Sequence, residues 1–450
     1  MRMARTNLVN MLGMLRGPGT RAHLVRGAGG SIVVAGGARV LSLATSIILA
    51  RALAPSGYGV YAFALALVGL LQVPAQFGLD QLLPREIAAN EAIRRWDLTR
   101  GLLRRATQLV SLSTTAIAFV TLVVLWTAPL HLNRESLLTL SVAVGLMAVN
   151  AYATLASATL AGFRRVVIAQ IPMQIGRPVV FLATVASIWL LAERRLDPVT
   201  AVAANMAATA IMLVILFFLV RSVLRRHAVP RTAWFETRRW LGSALPFSMM
   251  AGLGIINAQT DILMLGLITT SHDVGIYRVA VAGAGLVPMF LMAVNNAIGP
   301  TLAKLNSEGD RGKLALIARL TALSGLVTGL IVLVIFSVWG ASLIRNVYGG
   351  AYLVAWTPLM VLSLGQAINA GMGPVGLVLN MTGYEKDALF GLGAAALVNI
   401  ALNAGLIPLM GTMGAATATA VSTVVWNVLM ASRVKRRLGF IPLGFVRPQV

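Results

Sequence analysis

From Gly27 onward the chain is a succession of apolar runs of twenty or more residues, separated by short polar connections. A run of that length, coiled as an α-helix, crosses a hydrocarbon core of about 30 Å. Inside such a core no water bonds the backbone, so each N–H and C=O must be satisfied within its own segment, and helices are selected. The expected fold class is an all-α membrane protein of about twelve transmembrane helices. They fall near 27–50, 58–83, 106–128, 137–161, 166–191, 197–220, 241–268, 274–302, 314–340, 352–381, 387–408 and 411–432.

The net charge of +23 would suggest a nucleic-acid partner in a soluble protein, but only 11% of this chain is charged and the cations are unevenly placed. Five Arg lie in the first 26 residues, six in 84–105 and six in 221–240, whereas the opposite set of connections holds Arg51, Arg134, Arg194, Arg195 and Arg345. Cationic connections stay on the cytoplasmic side, so both termini are expected there, in a bacterial inner membrane, with no nucleic acid as partner. The short apolar run Leu8 to Leu15 resembles a signal peptide but lacks a small-residue cleavage site, so 1–26 is read as a retained cytoplasmic segment. Trp126, Trp189, Trp339 and Trp356 fall near the opposite ends of their helices, as an interfacial aromatic belt does.

Cysteine is absent and His23, His131, His227 and His272 are scattered, which leaves no thiol chemistry and no metal or cofactor site. Neither HExxH nor the phosphate-cradling GxxxxGK[ST] occurs. The connections at 51–57, 129–136, 192–196 and 341–351 are too short for a catalytic domain, and the chain is read as a transporter rather than an enzyme.

A shift of 216 residues lays the second helix on the eighth: Gly59, Tyr61, Ala64, Ala66, Gly69, Leu70 and Pro84 fall on Gly275, Tyr277, Ala280, Ala282, Gly285, Leu286 and Pro300. Six helices per repeat preserve orientation, so two six-helix lobes related by an axis along the membrane normal are expected. The divisions are 27–225 for the N-lobe, 226–240 for a basic linker, 241–436 for the C-lobe and 437–450 for a cytoplasmic tail.

The stretch Ile48-Leu-Ala-Arg-Ala-Leu-Ala-Pro-Ser-Gly-Tyr-Gly-Val-Tyr61 resembles the first hairpin of the polysaccharide flippases, within the multidrug/oligosaccharidyl-lipid/polysaccharide exporter superfamily. Asp261 to Gly266 running on to Val274-Gly-Ile-Tyr277, Leu379 to Tyr384, and Asn399 to Ala420 are similar to later segments of that family. The resemblance implies two lobes around a central cavity that opens alternately to each side. It also implies a lipid-linked oligosaccharide on polyprenyl pyrophosphate as cargo, coupling to an ion gradient, and glycan polymerase and chain-length enzymes as candidate partners. Small-molecule exporters of the superfamily, lipid II flippases and a glycan-assembly enzyme are the competing readings; the lipid II flippases often have fourteen helices.

Charges at bilayer depth are costly and mark cavities or partners. Arg39 lies mid-helix with Ser42 and Ser46 on its face, and Gln170, Gln174 and Arg177 form a polar stripe in helix 5. The candidate substrate-binding residues are Arg39, Arg177, Gln174 and Arg278, with Arg39 and Arg177 acting together as the anion trap; the alternative is that the guanidiniums bond neighbouring carbonyls and fix packing. Arg51 and Arg345 are read as snorkelling to the interface. Asp261, on one face with Gly254 and Asn257, either pairs with Arg278 or takes up a proton or cation as the ion-coupling group. Asp80, below Gln72 and Gln76, is the second ion-coupling candidate, unless interfacial solvation accounts for it.

Overall fold

The computed structural model describes residues 20–128, 133–191, 196–226 and 232–442, which are helical without strands. The retained segment up to residue 19, His131, Arg194, Arg195, His227, residues 227–231 of the basic linker and the tail beyond 442 lie outside the described residues.

The first element, α1 (Thr20–Gln76), is two membrane-crossing arms joined at one residue, Ala54, whose φ of 55° and ψ of 173° reverse the chain. The connection expected at 51–57 is thus reduced to a point. The cause is Pro55: it disfavours helical geometry at the residue before it, yet its fixed φ suits the first turn of a new helix. Beyond a break at Phe77 and Gly78, α2 (Leu79–Ala92) carries the second crossing into the region expected to be a basic loop. Gly78 has φ 72°, and a side chain there would meet the backbone of Ala244 and Ser248. The N-lobe is completed by α3 (Trp96–Thr127), α4 (Arg134–Gly162), α5 (Val166–Ile171), α6 (Arg177–Leu191) and α7 (Pro198–Arg226). A π-helical turn, Pro172–Gly176, joins α5 to α6.

The C-lobe repeats the plan with α8 (Thr237–Ile268), α9 (Ser271–Ala284), α10 (Met289–Ser307), α11 (Arg311–Val347), α12 (Trp356–Met372), α13 (Val375–Met381), α14 (Glu385–Met410) and α15 (Thr412–Leu438). Its first hairpin turns at Thr270, the residue that the 216-residue shift pairs with Ala54. Here the N-terminus of α9 is closed by a capping box, Thr270 and Asp273 each taking the other's backbone N–H. The expected helix 8 is split at 285–288 and helix 10 at Gly373-Pro374. Among the described residues, ten helices are long and apolar enough to cross a membrane. One of them, Val34–Gln76, is the folded pair in α1, and the divided helix 8 supplies a further crossing, which gives the twelve-helix, two-lobe fold.

Three cores show how the lobes meet. At the end carrying the Ala54 and Thr270 turns, one core runs through both lobes, from Leu49, Tyr58 and Leu146 to Tyr277, Tyr352 and Ala416. At the other end, where the basic connections lie, the cores separate: Leu82, Leu102 and Leu160 in the N-lobe with Trp240 of α8, and Leu302, Val378 and Val434 in the C-lobe. The molecule is therefore a V, sealed at the hairpin end. The seal follows from the repeat, because Gly59 and Gly275 lie back to back: a Cβ on Gly59 would strike the backbone of Ser271 and Gly275, and one on Gly275 that of Pro55 and Gly59. Only residues without side chains let α1 and α9 approach so closely.

The aromatic belt is partial. Trp126, Trp189 and Trp339 are exposed near the hairpin end, but Trp356 turns inward, its Nε1 donating to the Phe336 carbonyl at 3.0 Å in the slot left by Gly340.

Candidate functional site

The arms of the V enclose polar surface in two adjoining cavities. The lower one, about 440 Å³, is lined by Gln72 and Gln76 at the end of α1 and Asp80 at the start of α2, by Asn150 and Thr154 of α4, and by Gln174 and Arg177; Ala251 and Ile255 of α8 close it from the C-lobe. The upper one, about 220 Å³, is lined by Ser42 and Ser46, Tyr58 and Tyr61, Phe181, Asn205, Arg177 and Arg278. Arg177 belongs to both. It follows directly on the π-helical turn, in which Gln174 sits, so the local widening of the helix sets the direction of both side chains into the cavities.

Few protein acceptors engage these cations. Among the described residues, Arg177 donates only a long bond, 3.4 Å, to Asn150 Oδ1. Arg278, half-buried, faces the upper cavity from the C-lobe, and Asp261 does not pair with it. The Asp261 carboxylate is instead engaged within the C-lobe core: its Oδ2 accepts from the Tyr277 hydroxyl at 2.5 Å and from Thr419 Oγ1 at 3.3 Å, and its Oδ1 accepts from the Ile262 N–H at 2.9 Å. Tyr277 lies one residue before Arg278, so one helix sends the hydroxyl to the core and the guanidinium to the cavity. Thr419 in turn accepts from Asn399, and Asn399 Oδ1 accepts from Asn403. The result is a buried, hydrogen-bonded cluster built around a single carboxylate.

Sequence reasoning separates in part from this arrangement. Gln174, Arg177 and Asp80 come together in the lower cavity, and Arg177 with Arg278 in the upper one. Arg39 stands apart from both: it lies exposed two turns below Ser46 and reaches across to Met292 Sδ of α10 at 3.9 Å. Arg51 does more than snorkel. Its Nε donates to the Val347 carbonyl at 2.7 Å and its Nη2 to that of Asn346, binding α1 to the C-lobe at the hairpin end. The tyrosines were not anticipated as site residues, although the Gly-x-Tyr repeat marks two of them. Tyr61 stacks between Tyr58 and Phe181, with centroids 6.5 and 6.4 Å away, and its hydroxyl accepts from Asn205 Nδ2 at 3.1 Å. A third cavity of about 800 Å³ is lined by Phe63, Leu67, Val124 and Leu267 together with Asn133, Ser136 and Ser271, and by no charged group among the described residues.

A family model described as "Polysaccharide biosynthesis protein" matches residues 24–306. A probable low-salt glycan biosynthesis flippase of Haloferax volcanii, Agl15, is 24% identical over 225 residues, 48% of this chain and 45% of that protein. The probable flippase AglR of the same organism is 28% identical over 195 residues, 40% of this chain and 39% of that one. The matched stretches thus span less than half of either relative. Among solved structures, the lipid II flippase MurJ in an inward closed conformation superposes with a TM-score of 0.70 at 14% identity, covering 90% of this chain and 87% of that one. An inward-facing multidrug resistance transporter of the MATE family superposes with the same TM-score at 12% identity, covering 89% and 94%. At such identities these two structures speak to the fold.

Proposed function

Because the chain belongs to the polysaccharide biosynthesis protein family, we propose that this multi-pass membrane transporter is a flippase for a polyprenyl-pyrophosphate-linked oligosaccharide, working by alternating access. The observation that carries the reading is the pair of guanidiniums, Arg177 and Arg278, one from each lobe, facing a single cavity with no carboxylate in ion-pair contact among the described residues. Two cations at membrane depth with unused donors suit a diphosphate, which offers acceptors in the planar geometry that Arg recognises. A cationic drug would be repelled there. The lower cavity, with Gln72, Gln76, Gln174 and Asn150, offers neutral donors and acceptors for sugar hydroxyls.

The basic end of the V faces the cytoplasm in this reading, so the cavities are loaded from the cytoplasmic leaflet and the hairpin end opens to the far side. Asp261 and its oxygen-rich surroundings supply the ion coupling, and Asp80, in the lower cavity, stands beside the cargo path. Polymerase and chain-length enzymes remain the expected downstream partners.

The direct test is reconstitution. Proteoliposomes holding the purified protein should move a fluorescent polyprenyl-pyrophosphoryl oligosaccharide between leaflets, measured by dithionite quenching, while a labelled cationic drug is not accumulated. Drug accumulation without lipid movement would favour the exporter reading. Orientation has its own test, since the chain has no native cysteine. With single cysteines at Arg100 and Ser56, an impermeant maleimide added to intact cells should label position 56 and spare position 100; the reverse would invert the transport direction.

A further inference from the structure

The upper cavity and the seal share two residues. Ser46, on the first arm of α1, and Tyr58, on its second arm, both line the cavity that holds Arg177 and Arg278. The same two hydroxyls build the seal: Ser46 Oγ lies 2.8 Å from the Tyr58 hydroxyl and 3.4 Å from that of Tyr348, which belongs to the C-lobe at the end of α11. Tyr348 packs against Tyr352 at 6.1 Å between centroids, and the Tyr352 hydroxyl donates to the Ala50 carbonyl at 2.8 Å. A line of hydroxyls therefore runs from the roof of the cavity into the contact that holds the lobes together.

We propose that Ser46 and Tyr58 are an anion-sensing relay: a diphosphate headgroup seated between Arg177 and Arg278 draws the Tyr58 hydroxyl and, with it, Ser46 Oγ toward itself, takes Ser46 out of reach of Tyr348 and so loosens the seal on the far side. The inference rests on the reading of this cavity as the headgroup site. Its physical basis is a competition for protons. Each hydroxyl has one proton to give, and a hydrogen bond to a charged acceptor is roughly twice as strong as one between neutral groups. The Ser46–Tyr348 contact, already long at 3.4 Å, is the one surrendered. Arg51 on the carbonyls of Asn346 and Val347 and Tyr352 on that of Ala50 still hold, so the anion biases the seal toward opening rather than breaking it outright. Loss of one such bond corresponds to about a tenfold change in the open-to-closed ratio.

The experiment uses the full chain in lipid nanodiscs, with Ser56→Cys on the N-lobe and Ala351→Cys on the C-lobe carrying spin labels. Both positions are exposed near the hairpin end. Inorganic pyrophosphate is the probe, its binding followed by calorimetry and the distance between labels by double electron–electron resonance. In the otherwise native protein pyrophosphate should bind and raise the long-distance population about tenfold. Tyr58→Phe keeps the ring and both guanidiniums but removes one donor to the anion, so pyrophosphate should still bind, about tenfold or more weakly, and at saturating probe the distance response should disappear; Ser46→Ala deletes the Ser46–Tyr348 contact itself, so its long-distance population should already be raised without the probe and should not rise further with it. Tyr348→Phe should raise the long-distance population with no pyrophosphate present. If Tyr58→Phe and Ser46→Ala bind the probe and still open as the parent does, the relay is wrong and the headgroup site stands. If the parent protein does not bind pyrophosphate at all, the headgroup reading and the relay fall together.

Discussion

Replacing Arg278 or Arg177 with alanine is expected to lower cargo transport by at least tenfold while leaving the amount of inserted protein unchanged. A hydrogen bond to a charged group is worth about 1.5–3 kcal/mol, and a guanidinium that loses its fork surrenders two of them. The native chain gives little in exchange for keeping these cations: Arg177 has one bond of 3.4 Å to Asn150, and Arg278 has no acceptor among the described residues. Removing a mid-membrane charge eases insertion by about 2.5–3.5 kcal/mol, so expression should hold or rise. Lysine at either position keeps the charge but not the bidentate geometry and should retain partial activity. Arg39→Ala should cost less than either, because Arg39 stands at the open part of the cleft rather than in the shared cavity. Arg51→Ala should act differently again, weakening the seal through the carbonyls of Asn346 and Val347 with headgroup affinity preserved. The measurement is glycan display in cells, normalised to membrane-inserted protein. Wild-type display from well-inserted Arg177→Ala and Arg278→Ala would remove both from the site.

The crossings were legible in the sequence because hydrocarbon imposes a simple rule of length and polarity, and the two lobes because an ungapped repeat survives in the first hairpins. Breaks were less legible. Pro55, Pro172 and Pro374 all mark points where the helix changes course, but proline alone does not tell whether the result is a reversal, a π turn or a break; packing decides. The seal shows the same limit. Gly59 and Gly275 were visible as a matched pair, yet identity across a repeat does not reveal that the two residues touch.

Within the site, the charged residues stood out because charges are rare at that depth, whereas their partners did not. Sign and depth leave Asp261 either paired with Arg278 or free to take up a proton or cation. In place of the pair the fold prefers a different solution, in which hydroxyls of Tyr277 and Thr419 and a backbone N–H stabilise the carboxylate without drawing the guanidinium out of the cavity. Serine and tyrosine hydroxyls carry no such sequence signal, since most serines in membrane helices bond their own backbone one turn back, as Ser113 and Ser141 do here. Ser46 is distinguished only by where it lies.

Asp261→Asn should leave the protein folded and uncouple transport from the ion gradient. The substitution is nearly isosteric, and the surroundings can accept it. The amide oxygen can take the Ile262 N–H in place of Oδ1, while the NH₂ faces Tyr277 and Thr419, whose hydroxyls can rotate to accept instead of donate. The hydrogen bonds survive and the charge does not. Asp261→Ala is the contrasting case, because it strands the fully buried Tyr277 hydroxyl with only the distant Thr419 oxygen at 3.5 Å, at a cost of about 1–3 kcal/mol. The two variants therefore separate stability from coupling: alanine should lower the melting temperature, and asparagine should not. In proteoliposomes with an imposed sodium or proton gradient, the native protein should move the labelled lipid faster than without one, and Asp261→Asn should move it at the same slow rate in both conditions. A gradient response that persists in Asp261→Asn would take the coupling role away from Asp261 and leave Asp80, beside the cargo path, as the carboxylate to test.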